Sequence, residues 1–148
     1  MINVGSPYAE GVWTRQTPKT ITFTGGAGLG AVGNVPLFTV TGSVWIAGIS
    51  AACTASLTSA GAATLALGIT GSTPLFVAAT GYASITIAGF WTTAGATAVG
   101  VAAPAAMKDI LIWANIVGTV GTAAVSGGVI RLDVLWFPLS SDGAVVAA

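Results

Sequence analysis

The chain has 148 residues with no histidine, one cysteine (Cys53) and only eight formal charges, four of each sign, while 54% of its residues are hydrophobic. General acid–base catalysis, metal ligation and phosphate handling draw on the residue types that are scarce here, so composition argues against an enzyme and no catalytic, cofactor-binding or metal-binding residues are expected. The length suits one domain with a real core, and a net charge of zero leaves no electrostatic footprint for nucleic acid or for an anionic membrane.

Residues 1–18 have no sustained period and contain Pro7, Pro18, Tyr8 and Trp13. They read as an extended N-terminal arm, followed by one β domain over residues 19–148. The first residues have neither the basic start nor the continuous apolar stretch of a signal peptide, so ordinary secretion is not expected.

From Lys19 onward, short β-type runs alternate with glycine-containing breaks. KTITFT (19–24) places Ile21 and Phe23 on one face and threonines on the other. A glycine-rich loop follows, in which Gly28, Gly30 and Gly33 match the dinucleotide fingerprint G-x-G-x-x-G. That chemistry needs a helix to receive the pyrophosphate and an acid about 20 residues on. Here VPLFTVT (35–41) continues as a strand pattern, and no acid follows before Asp109, so the match is read as chance.

SVWIAGISAAC (43–53) is another such run, and the best membrane candidate, VWIAGISAACTASL (44–57), is broken by Gly48, Ser50, Thr54 and Ser56 with no Lys or Arg at its flanks, whereas a membrane helix needs about 20 predominantly apolar residues. Cys53 within it reads as a small buried thiol. In AATLALGIT (62–70), Leu65, Leu67 and Ile69 share a face. SITIAGFW (84–91) and DILIWANI (109–116) repeat the theme. Between them, residues 94–112 are alanine-rich, but Gly95, Gly100 and Pro104 limit helix there to a turn around residues 105–108.

In VIRLDVLWFPL (129–139), Ile130, Leu132, Val134 and Trp136 point one way, while Arg131 and Asp133 share the other face, where they should pair. The tail SSDGAVVAA (140–148) is a turn followed by a last edge strand or a second arm. Seven such runs predict an all-β fold, an antiparallel β-sandwich or barrel of jelly-roll-like type. Trp45, Trp91, Trp113 and Trp136 lie in strand-like runs and read as core or subunit-interface residues. Trp13 stands in the arm with Tyr8, Arg15 and, just beyond, Lys19, a mixture suited to docking on another protein.

The phrasing of residues 20–44, 62–80 and 101–148 resembles short Gly/Ala/Thr-rich structural proteins of tailed bacteriophages and prophages, over roughly residues 19–148. That resemblance implies a virion component made in the host cytoplasm, a capsid decoration or cement protein, with the major capsid protein as partner. It brings no catalytic residues. The expected protein is a homo-oligomer, with a trimer as first choice, that bridges major capsid subunits on the outer face of the head. Tyr8, Trp13, Arg15 and Lys19 are the candidate capsid contacts. The alternatives are a tail, neck or head-fibre component, and a carbohydrate-binding module that uses exposed tryptophan.

Overall fold

A computed structural model describes residues 14–92 and 97–148. The described chain forms eleven strands in order: β1 (Arg15–Thr22), β2 (Gly33–Thr41), β3 (Val44–Thr58), β4 (Thr64–Ile69), β5 (Ser72–Gly81), β6 (Gly89–Trp91), β7 (Thr97–Ala98), β8 (Lys108–Ile112), β9 (Ile116–Gly121), β10 (Gly127–Pro138) and β11 (Ala144–Ala147). They make two antiparallel sheets. One has the order β1-β10-β3-β6-β7, with β8 also on β3, and the other the order β11-β2-β9-β4-β5. No helix among the described residues is long and apolar enough to cross a membrane.

The pairings β1 with β10, β2 with β9, β3 with β8 and β4 with β5 fold the chain back on itself about its middle. Alternate pairs fall in opposite sheets, which is the strand order of a jelly roll. The fold is a sandwich, not a closed barrel, and β11 adds a strand beside β2.

The core lies between the sheets. Along β10, Ile130, Leu132, Val134 and Trp136 are buried, while Arg131 and Leu135 are exposed on the outer face. Each inward aliphatic side chain contributes about 1.5–3 kcal/mol of transfer free energy. Ile21 and Phe23 are buried on one side of the first strand's path, and Leu65 and Leu67 are buried in β4. The long strand β3 needs a correction to keep its apolar residues inside, because Val44 and Ile46 are even-numbered and Ile49, Ala51 and Cys53 are odd. A bulge provides it: Trp136 is opposite Ile46 but Leu135 is opposite Gly48, so the pairing slips by one residue and the inward parity switches.

The sheet begins earlier than the sequence pattern suggested. Arg15, Gln16, Thr17 and Pro18, expected in the arm, pair with Trp136, Leu135, Val134 and Asp133. Pro18 is accommodated because β1 is an edge strand. Thr17 closes this side of the sandwich: the Trp136 indole Nε1 donates to its Oγ1 (2.9 Å), and that hydroxyl donates to the Val145 carbonyl of β11 in the other sheet (2.9 Å). Thr17→Val leaves a buried indole N–H without an acceptor, so an unfolding titration should show a loss of about 1–3 kcal/mol. Thr20→Val, on the exposed face of the same strand, should stay within about 0.5 kcal/mol of the parent. Equal effects at both positions would remove Thr17 as a link between the sheets.

Other expectations are sharpened or corrected. The possible helical turn near residues 105–108 is a 3₁₀ turn at Ala105–Met107. The tail forms an edge strand, β11, rather than a second arm. SITIAGFW is a strand only at Gly89–Trp91; Ile85 is buried, but Ile87 is 62% exposed and Ala88 takes a positive φ of 68°, so the chain turns there instead of alternating.

Candidate functional site

The glycine-rich loop between β1 and β2 is a tight turn. Leu29 N–H and Ala31 N–H both donate to the Gly26 carbonyl (2.9 and 3.0 Å), and Gly28, Gly30 and Gly33 all have positive φ. The loop runs directly into β2, so no helix N-terminus stands where a pyrophosphate would need one. These glycines serve the backbone.

Cys53 is buried, with its Sγ 3.1 Å from the Ala55 carbonyl. Burial pushes the thiol above its ordinary value, and a backbone hydrogen bond at Ala55 works against that shift without cancelling it. A thiol held neutral by the fold contributes fully below its unfolded-state value, and the contribution is lost as pH rises from there through the raised folded-state value. Unfolding at pH 7 and pH 10 should therefore show a larger loss for the parent than for Cys53→Ala. Equal losses would place the alkaline sensitivity elsewhere.

Arg131 and Asp133 pair as the sequence suggests. Arg131 Nε lies 3.1 Å from Asp133 Oδ2 on the outer face of β10, and Gln16 Nε2 donates to Asp133 Oδ1 (2.9 Å). A pair this exposed contributes little to stability. Among the described residues there is no cluster of metal-ligating side chains.

The sequence-predicted contact residues do not form one cluster. Tyr8 and Trp13 lie outside the described residues. Arg15 sits on β1 with its guanidinium carbon 5.4 Å from the centroid of the Trp136 ring, a cation–π contact. Lys19 Nζ donates to the main-chain oxygen of Ala148. Both cations are thus engaged by the sandwich itself.

The tryptophans divide by environment. Trp91 and Trp136 are core residues. Trp45 is half-buried on the outer face of β3, and its ring centroid lies 4.5 Å from that of Phe137 at an interplanar angle of 54°. Trp113 departs from the core-or-interface expectation as far as a single chain goes: it lies just past the end of β8 and is 83% exposed.

Strand register builds these residues into a band. Trp45 is opposite Leu111 on β8 and opposite Phe137 on β10, so Leu111, Trp45 and Phe137 form a row across three strands at one end of the sheet. Leu111 is 68% exposed, and Leu139, just beyond β10, is 49% exposed. Beside the row, Ser43, Ile69, Leu111, Ile112, Trp113 and Leu139 line an open concavity of about 370 Å³. The Trp45 indole nitrogen is buried with no hydrogen-bond partner among the described residues. Large apolar side chains gathered in one exposed place mark a binding surface, and aromatic anchors are the residues that dominate such surfaces. Sequence pattern alone missed this band because its members come from three separate runs brought together by the pairing of β3, β8 and β10.

No protein-family model, curated protein or solved structure matches this chain.

Proposed function

We propose that this chain is a non-enzymatic structural protein of a tailed-phage virion, a capsid decoration or cement protein that assembles with copies of itself and bridges major capsid subunits. The observation that carries the reading is the apolar band of Leu111, Trp45, Phe137, Trp113 and Leu139 on a nearly uncharged β-sandwich. Such a surface works by burial against protein, and many copies on a lattice turn weak single contacts into firm attachment through avidity. The resemblance of residues 19–148 to short phage structural proteins supports the same reading.

The deciding experiment is the copy number per purified particle, by quantitative mass spectrometry against the major capsid protein. Hundreds of copies are expected. A handful would move the protein to the tail, neck or a head fibre, and none would set the virion reading aside. The role of the arm is tested separately by a chain that starts at Thr14, which keeps β1 whole. It should fold yet lose capsid binding; undiminished binding would exclude residues 1–13 as the contact.

The exposure of Trp113 favours a second reading, stacking on a sugar ring. A sugar site needs several converging polar groups beside its aromatic platform, and the lining of this concavity is apolar apart from Ser43. Protein is the better match. Glycan titration followed by tryptophan fluorescence should leave the emission unchanged.

A further inference from the structure

We propose that Pro18 and Lys19 close the β1 edge of the sandwich to strand addition, so that a second copy of the chain cannot extend this sheet. This is a property of the purified chain and stands apart from the virion reading.

Five strands pair on one side only: β1, β7 and β8 in one sheet, β5 and β11 in the other. Such a strand offers its free N–H and C=O groups to any other chain, and a protein with only eight charges has little general repulsion to prevent that. The edges are blunted one by one instead. β7 and β11 have two and four residues, too few to template a long ladder. β8 opens with exposed Lys108 and Asp109, and Asp109, at a φ of 56°, leaves the extended conformation. The two longest edges, β5 and β1, with ten and eight residues, each hold an exposed proline, Pro74 and Pro18.

Register shows which way Pro18 faces. The Phe23 N–H donates to the Gly128 carbonyl (2.9 Å), and the pairing from Thr22 opposite Val129 to Arg15 opposite Trp136 is unbroken. Bonded pairs alternate along an antiparallel ladder. Thr17, Lys19 and Ile21 therefore bond to β10, while Gln16, Pro18 and Thr20 turn their main-chain groups to the open edge. Pro18 has no N–H to give there, and its ring fills the place of the hydrogen. An incoming strand would bury a carbonyl without a donor in the middle of the edge.

Charge acts beside it. Thr17 and Lys19 share the face turned to the other sheet, where the Thr17 hydroxyl donates to the Val145 carbonyl and Lys19 Nζ to the main-chain oxygen of Ala148. The Ala148 N–H donates to the Leu37 carbonyl, so by the same alternation Val145 turns its carbonyl to the open edge of β11, and Thr17 occupies it. A sheet continued past β1 would also cover the Lys19 ammonium, a charge that an added strand does not neutralise.

The test is residue-resolved amide hydrogen exchange on the full chain, with sedimentation velocity for mass and circular dichroism for folding. In the parent, the Gln16 and Thr20 amides should exchange about a hundredfold faster than those of Lys19 and Ile21, or more. Pro18→Thr combined with Lys19→Thr should associate further, at a concentration about tenfold below any at which the parent does, and should bring the Thr20 amide under protection. Thr20→Val raises β-propensity without adding a donor and should behave as the parent. A folded double variant that neither gains mass nor protects Thr20 would overturn the proposal. So would a parent in which Gln16 and Thr20 exchange as slowly as Lys19 and Ile21, a result that needs no variant: a strand from residues 1–13 or from a second copy would then already lie on this edge.

Discussion

Gly30→Ala is expected to cost about 4 kcal/mol, a large part of the 5–15 kcal/mol that holds a typical domain together. Gly30 has a φ of 119°, which an L side chain rarely adopts, and this strain accounts for about 1–3 kcal/mol. The rest comes from contact: a Cβ at this position would lie 2.1 Å from the Val125 carbonyl oxygen. That oxygen is backbone and cannot rotate away. Relief requires moving Val125, a fully buried residue whose N–H donates to the Gly30 carbonyl (2.8 Å). Gly33 is the internal control, with a φ of 123° and nothing within 4 Å of the added Cβ. Gly33→Ala should show the strain alone, so the difference between the two variants in a denaturant titration isolates the collision. Equal losses would mean that the loop between β1 and β2 moves freely away from Val125.

The second large effect is at the centre of the core. Trp91→Ala should lose about 3–5 kcal/mol through the cavity it opens. Trp91 on β6 donates its indole Nε1 to Thr80 Oγ1 on β5 (2.9 Å), both residues are buried, and the Thr80 hydroxyl lies 2.9 Å from the Ala78 carbonyl. Because β5 and β6 belong to different sheets, this bond crosses the sandwich. Thr80→Val should therefore cost about 1–3 kcal/mol by leaving the indole N–H unpaired in the interior. In a Trp91→Phe background the same substitution should cost much less, since the orphaned donor is gone. A double-mutant cycle with no coupling would show that the bond is not what Thr80 contributes.

The parts of this fold legible in the sequence are those where one face is buried and the other is wet. β10 is the clearest case: Ile130, Leu132 and Val134 alternate with Arg131 and Asp133, the period carries on across Leu135 to Trp136, and each of the four inward residues is buried. β5 has no such signal, because Phe76 and Val77 are consecutive and both buried, while Ala78 and Ala79 are both exposed. Irregular pairing with β4, between Leu65 and Leu67 and again between Leu67 and Ile69, explains the lost period. β9 was hidden for the opposite reason. Ile116, Val117 and Gly118 are all buried, so the strand carries no alternation there to read. At Trp113 a β-type composition runs on after the strand has ended at Ile112, and only the exposure of the side chain in the fold reveals that it belongs to a surface. The pairing of Arg131 with Asp133 was legible because two residues on one strand share a face whatever the topology. The apolar band was not, since it depends on which strand lies beside which.

The folding back of the chain about its middle also sets the order in which it can fold. The hairpin of β4 and β5 joins neighbours in sequence, whereas Arg15 must wait for Trp136. Local closure is fast and distant closure slow, so pairing should spread outward from the centre and finish with the two ends. During synthesis β1 emerges well before its partner β10. The strands β2 to β9 must therefore leave the ribosome before β1 has anywhere to go. For such an interval, a strand that carries Arg15, Lys19 and Pro18 is a safer thing to leave waiting than an unbroken run of valine and isoleucine.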